Sequence, residues 1–158
     1  MKRMLLTGMS GVGKSTLARA LRSERCLSVD LDEGWMLLRS PDGERIIDVP
    51  RVERLFDTCR NRHIVLAGTA VNQGELYGQL DEIIVLTAPL PVMRARIMRR
   101  TDNPFGKTQE EWAKIVRDKA EVEPLLLRGC TRVLQTDRPS AEVLRALNAM
   151  LYGAAGPQ

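Results

Sequence analysis

The sequence predicts an α/β domain whose parallel sheet is covered by helices on both faces, and three observations predict it. Five short apolar runs alternate along the chain with stretches of helical periodicity. Strands separated by helices pair in parallel, and such a sheet needs a helical layer on each side. A glycine-rich turn, Gly8 to Ser15, joins the first run to the first helical stretch. Finally, no internal repeat and no linker rich in Pro, Gly or Ser divides the 158 residues, which is the size of one domain. Each strand-to-strand crossover is expected to be right-handed.

Taken in order, Met4 to Thr7 forms the first buried-strand candidate, and Lys14 to Arg22 follows as a helix with Leu17, Ala18 and Leu21 at helical spacing. Leu27 to Asp30 is the second strand. A small hairpin or flap then comes from Met36-Leu37-Leu38-Arg39 and Glu44-Arg45-Ile46-Ile47, because Ser40-Pro41-Asp42-Gly43 between them is turn chemistry. Val52, Leu55, Phe56 and Cys59 follow the i, i+3, i+4, i+7 template of a helix, with Pro50 just ahead. His63 to Ala67 and Ile83 to Thr87 are the third and fourth sheet strands. Thr108 and Glu111 make a capping box that opens a helix with Trp112, Ile115 and Val116 on one face, and Gly129 is expected to end it. Arg132 to Thr136 is the fifth strand. Pro139-Ser140 starts a last helix with Val143, Leu144, Leu147 and Leu151 inward, and Gly153 to Gln158 reads as a loose tail.

Composition excludes several classes. With 44% hydrophobic and 28% charged residues the chain has ordinary globular usage, so it is not disordered or fibrous. Its three cysteines, Cys26, Cys59 and Cys130, are odd in number and far apart, which suits reduced thiols, and a single histidine argues against zinc. No apolar stretch has the length of a membrane span or of a signal peptide, so a cytoplasmic protein with no membrane partner is expected. The net charge of +4 suits an anionic ligand. Basic residues are not blocked together or interleaved with aromatics, which argues against a nucleic-acid surface. The sequence does not choose between monomer and dimer.

The chemistry begins at Gly8-Met9-Ser10-Gly11-Val12-Gly13-Lys14-Ser15, which matches G-x-x-x-x-G-K-[ST] without a mismatch between a strand and a helix. Gly8, Ser10, Gly11, Val12 and Gly13 are expected to wrap a nucleoside triphosphate, with backbone N–H groups turned inward and the helix N-terminus adding positive charge. Lys14 is expected to reach the β- and γ-phosphates and the Ser15 hydroxyl to ligate Mg²⁺.

Ligands of parallel sheets gather at the carboxyl ends of strands. Asp30-Leu31-Asp32 follows the second strand, whereas no acid follows the third or fourth, where a motor-type carboxylate would sit. Asp30 and Asp32 alternate, so they should point to different sides if the strand continues. Asp30 is then a candidate for the metal and Asp32 for an acceptor hydroxyl, with the roles open to exchange. Arg96 and Arg100, four apart, share a helix face that leads into the polar loop Thr101 to Lys107, an arrangement suited to the charge of a phosphoryl-transfer transition state. Arg94 points away from them.

The phosphate loop through Thr16, the Asp30-x-Asp32 pair and Arg96-x-x-x-Arg100 before a lid resemble the small-molecule and nucleotide kinases of the adenylate kinase, shikimate kinase and gluconate kinase group. The resemblance covers most of the chain. It implies the three-layer αβα P-loop NTPase fold with strand order 2-3-1-4-5 and Mg-ATP as the nucleotide, while Lys14, Asp32, Arg96 and Arg100 are the catalytic candidates that the motif and the strand-end positions already single out. It further implies an acceptor flap over about 33–60, a lid over about 100–108, and Arg138 beside the adenine. The chain departs from shikimate kinases at two points. Gly68 is followed by Thr69-Ala70 rather than two more glycines, and Val122 stands where an arginine precedes Pro124-Leu125. The expected activity is transfer of the γ-phosphate of ATP to a small hydroxylated or phosphorylated metabolite. A kinase for nucleotides or oligonucleotide ends, and a non-catalytic ATP-binding switch, stay open as alternatives.

Overall fold

A computed structural model of the protein describes residues 1–35, 38–41 and 43–153. Met36, Leu37 and Asp42 of the expected hairpin, and residues 154–158 of the expected tail, lie outside the described residues.

Five parallel strands make the sheet: β1 (Arg3–Thr7), β2 (Cys26–Asp30), β5 (His63–Ala67), β6 (Glu82–Thr87) and β7 (Arg132–Gln135). They are laid side by side as β2-β5-β1-β6-β7. The strand numbers differ from the expected 2-3-1-4-5 because two further short strands, β3 (Leu38–Arg39) and β4 (Arg45–Ile46), are interposed and pair antiparallel as a separate hairpin. Register places Leu6 opposite Ala67 on one side and Ile84 on the other, and Ala67 opposite Asp30. β1 sits at the centre, where Met4, Leu5 and Leu6 are fully buried. A strand walled in on both faces reads as a continuous apolar run, which is why these elements were visible in the sequence.

The two faces carry two cores. Met4 and Leu6 pack with α1 (Lys14–Leu21), α3 (Leu90–Arg99) and α6 (Ser140–Tyr152) through Leu17, Met93, Ile97 and Leu147. Leu5 packs with α2 (Val49–Thr58) and a 3₁₀ helix (Gln73–Gln79) through Val52, Phe56 and Leu76. Burying the Phe56 side chain, 1% exposed, is worth about 1.5–3 kcal/mol. α2 starts where Asp48 accepts the Arg51 N–H at 3.2 Å and Pro50 occupies the first turn.

One expected element is divided. The helix from Thr108 stops as α4 (Gln109–Glu121), and α5 (Glu123–Gly129) begins after Val122. Pro124 cannot donate to the α4 ladder, and its ring crowds the preceding turn, so the chain breaks there and restarts with proline in the first turn. The capping box is present on both sides: Thr108 Oγ1 accepts the Glu111 N–H, and Glu111 accepts from the Thr108 N–H. Glu111 also accepts the Gly106 N–H at 3.0 Å, and these backbone bonds, Gly106 first, hold its carboxyl below the usual range.

Candidate active site

The carboxyl ends of the strands open into a cavity of about 560 Å³, lined by Ser10 through Leu17, Asp32, Arg96, Arg99, Arg100, Asp102, Asn103, Thr136, Arg138, Ser140 and Val143. Every expected site residue except Gly8 and Asp30 is on that lining.

The phosphate loop follows from backbone strain that only glycine tolerates. Gly8 has φ 146° and Gly11 φ 85°. A Cβ on Gly8 would drive into the Leu86 carbonyl oxygen, and one on Gly11 would sit 2.9 Å from the Met93 carbonyl oxygen. The loop is thus pressed against β6 and α3 while its other side faces the cavity. Gly13 is the N-cap of α1, no side chain caps the helix, and its first turn has no acid. The first N–H groups of α1 are therefore uncontested by side chains, as an anion site requires.

Lys14 reaches back along the loop, donating from Nζ to the carbonyl oxygens of Gly8 at 2.6 Å and Met9 at 2.9 Å. Burial pushes the ammonium down from 10.5 to about 8, Asp32 and then Asp30 oppose that shift, and Arg100 adds to it. Both carboxylates are thereby close enough to Lys14 to be felt, Asp32 more strongly.

The two acids do not alternate as strand neighbours, because β2 ends at Asp30 and a turn follows. The Asp30 carboxylate folds over that turn and accepts the Asp32 N–H at 3.0 Å. Through the register with Ala67 and Leu6, Asp30 lies on the α1 side of the sheet. Asp32 is half exposed, lines the cavity, and pairs with Arg45 of β4 at 3.1 Å; Arg45 also donates to the Asp32 carbonyl at 3.3 Å. The flap around them is fixed at its base. Asn72 exchanges two hydrogen bonds with the Ile47 backbone, and Arg51 lies 4.2 Å from the Trp35 ring centre while donating to the Gly34 carbonyl at 2.6 Å.

The arginines divide their labour. Arg96 donates to the Thr136 hydroxyl at 3.0 Å, to the Thr136 carbonyl, and more distantly, at 3.4 Å, to the Gly11 and Val12 carbonyls. It straps the phosphate loop to the segment after β7. Arg100 closes the turn of the loop beyond α3, donating to the carbonyls of Asn103 at 3.1 Å and Phe105 at 2.6 Å; burial lowers its pKa and Asp102 opposes this. Gly106 of the same loop is buried, and a Cβ there would meet Ile115 Cδ1 at 2.7 Å. The expected lid is therefore pinned at both ends, by Arg100 and by Gly106. Arg94, the expected bystander, lies 5.0 Å from the Trp112 ring centre, and Arg138 lines the cavity with Thr136 and Ser140.

Sequence reasoning missed three groups here. Thr136 is buried and donates to the Val12 carbonyl at 2.8 Å, a role visible only once β7 is laid beside the loop. Thr69 bonds the Gly8 carbonyl at 2.7 Å and meets Thr7, which with Gln73 and Tyr77 forms a polar chain at the ends of β1 and β5. One turn before Val122, Lys119 pairs with Glu123 at 3.0 Å and donates to the Thr87 hydroxyl at 3.2 Å. The i, i+4 spacing of Lys119 and Glu123 was available as a signal, but not their meeting with β6.

Comparison with known proteins agrees with this geometry. The AAA domain family matches residues 4–135. Shikimate kinase of Nitrobacter winogradskyi is 30% identical over 161 residues, covering 87% of this chain and 71% of that protein. Among solved structures, shikimate kinase from Acinetobacter baumannii in complex with shikimate superposes with a TM-score of 0.65 at 18% identity, over 95% of this chain and 92% of that one. A sugar kinase from Janibacter sp. superposes with a TM-score of 0.60 at 16% identity, over 100% and 99%. At those identities the structures establish the fold, and the curated relative with the family match establishes membership. A phosphate loop joining β1 to α1, a matching family model and a kinase relative over most of the chain lead to one conclusion: the chain belongs to the AAA domain family and to the group of P-loop small-molecule kinases.

Proposed function

We propose that the protein transfers the γ-phosphoryl group of Mg-ATP to a hydroxyl of a small hydroxylated or phosphorylated metabolite, in a cytoplasmic setting. The observation that carries this is the joining of Lys14, Ser15, Asp32 and Arg100 on one cavity. An anion-binding helix end, a carboxylate and cations beside a common space are what in-line phosphoryl transfer asks for.

The residues on the cavity suit the nucleotide, and Ser15 among them suits its metal. Lys14, with its ammonium already held between two loop carbonyls, swings to the β- and γ-phosphates, whose charge replaces the lost hydration. Ser15, at the start of α1, would hold Mg²⁺ directly and Asp30, behind the cavity lining on the α1 side of the sheet, through water; the metal when bound neutralises charge on the phosphate oxygens. Asp32 orients the acceptor hydroxyl. Arg100 places positive charge at the cavity wall. Arg96 acts chiefly by fixing the shape of the loop, and Arg138 flanks the base. Because the transition state is loose, alignment by Asp32 counts for more than its basicity.

Shikimate, the substrate that the Nitrobacter relative's name declares, belongs in the first acceptor pool. Thr69-Ala70 after Gly68 and Val122 before Pro124 change the acceptor side, so a different hydroxylated metabolite is expected to be preferred. The test is ADP formation from Mg-ATP with pools of sugars, cyclic polyol acids, sugar phosphates and mononucleotides. One pool should accelerate turnover by orders of magnitude. Equal rates in all pools and in water would remove the acceptor from the proposal.

A further inference from the structure

A second cavity, of about 220 Å³, lies at the opposite end of the sheet. Arg3, the first residue of β1, and Ile64, the second of β5, open onto it together with Arg60, Arg62, Gln79 and Asp81. Because the phosphate loop leaves the other end of β1, the two cavities are separated by the length of that strand, about 17 Å.

Three arginines line this cavity with incomplete neutralisation. Arg60 pairs with Asp57 at 2.6 Å on the surface. Asp81 spends one oxygen on the Arg3 backbone N–H at 2.7 Å. The Arg3 guanidinium lies 4.5 Å from the Phe56 ring centre, and no ion pair among the described residues includes Arg3 or Arg62. Arg62 donates from one terminal nitrogen to the Ser23 carbonyl at 2.8 Å, while its Nε is buried with no partner. Only one other buried side-chain polar atom among the described residues, Ser28 Oγ, shares that condition.

We propose that this cavity binds a small phosphate-class oxyanion, either inorganic phosphate or the phosphate group of a short monoester. Its tetrahedral oxygens suit several guanidinium donors at once, and the hydroxyl of inorganic hydrogen phosphate has an acceptor in Asp81. The volume is below the range of about 300–1,000 Å³ that encloses drug-sized ligands, which suits a small anion. The site is independent of the kinase assignment.

The test titrates inorganic phosphate, and separately glycerol 3-phosphate, into protein saturated with Mg²⁺ and a non-hydrolysable ATP analogue, by calorimetry with amide chemical shifts as the locator. Saturable one-to-one binding is expected, with shifts at Arg3, Ile64, Gln79 and Asp81. Arg60→Gln, at an exposed position, should weaken it by about tenfold while melting like wild type, and Arg3→Gln, half-buried on Phe56, should weaken it at least as much. Lys14→Ala, titrated without the analogue, should retain it. Equal affinity for the two probes marks the free anion as the ligand, and tighter binding of the ester marks a phosphorylated metabolite. Absence of saturable binding, or binding that survives both arginine substitutions and disappears in Lys14→Ala, would overturn the proposal.

Discussion

Arg96→Ala should loosen the phosphate loop from the segment after β7, and its cost can be worked from the contacts. The substitution removes two close bonds to Thr136 and two long ones, at 3.4 Å, to the Gly11 and Val12 carbonyls. Bonds from a charged donor are worth about 1.5–3 kcal/mol each. Arg96 is only half-buried, so water recovers part of this, and Thr136 keeps its own bond to Val12. A net loss of about 2 kcal/mol follows. At roughly 2–4 °C per kcal/mol for a domain of this size, the melting temperature should fall by about 4–8 °C. ATP affinity should fall with it, because the loop loses the strap that holds its shape. Arg96→Lys should rescue little, since an ammonium cannot span the same carbonyls as a planar fork. Calorimetric melting and ATP titration on the same preparations check both effects. If Arg96→Ala melts within about 1 °C of wild type and binds ATP equally well, the guanidinium is not a strap and belongs to the transition state alone.

Further outcomes follow from the same site. With Lys14 pushed down to about 8 and bound phosphates restoring its charge, ATP binding at pH 8 should take up about half a proton. Calorimetry in buffers of different ionisation enthalpy measures this uptake, which should fade toward pH 6, where Lys14 is already charged, and vanish in Lys14→Met; uptake that persists in that variant assigns the proton elsewhere. Asp32→Asn should cut turnover by about a hundredfold or more with ATP affinity nearly unchanged, whereas Asp30→Asn should raise the Mg²⁺ concentration needed for half-maximal rate. Reversal of those two phenotypes in steady-state kinetics would exchange the roles. Gly106→Ala forces a left-handed φ of 93° and a 2.7 Å contact on Ile115, so it should unpin the loop after α3 and raise its amide exchange while leaving β1 protected.

Much of the sheet was legible because its strands are buried on both faces, so Met4 to Thr7 and His63 to Ala67 announce themselves without tertiary knowledge. The loop from Gly8 to Ser15 was legible for a different reason: its backbone geometry admits few residue types. The α4–α5 break was signalled by Pro124 but outweighed by Gly129 further on. What stayed hidden depends on groups far apart in sequence. Thr136 meets Val12 across 124 residues, and Lys119 meets Thr87 across 32, so no local period encodes them. Arg96 and Arg100 share a spacing and a helix face, yet one straps carbonyls and the other closes a turn, a difference set by what packs opposite.

The central claim is that phosphoryl transfer to a small acceptor occurs in the cavity that joins Lys14 to Asp32. Following ATP labelled at the γ-phosphorus, by mass spectrometry with the accelerating metabolite pool, tests it directly. The label should move into a phosphorylated metabolite in wild type and almost cease to move in Asp32→Asn, although that variant still binds ATP. Recovery of the label only as inorganic phosphate, at the same rate with and without every pool, would contradict it.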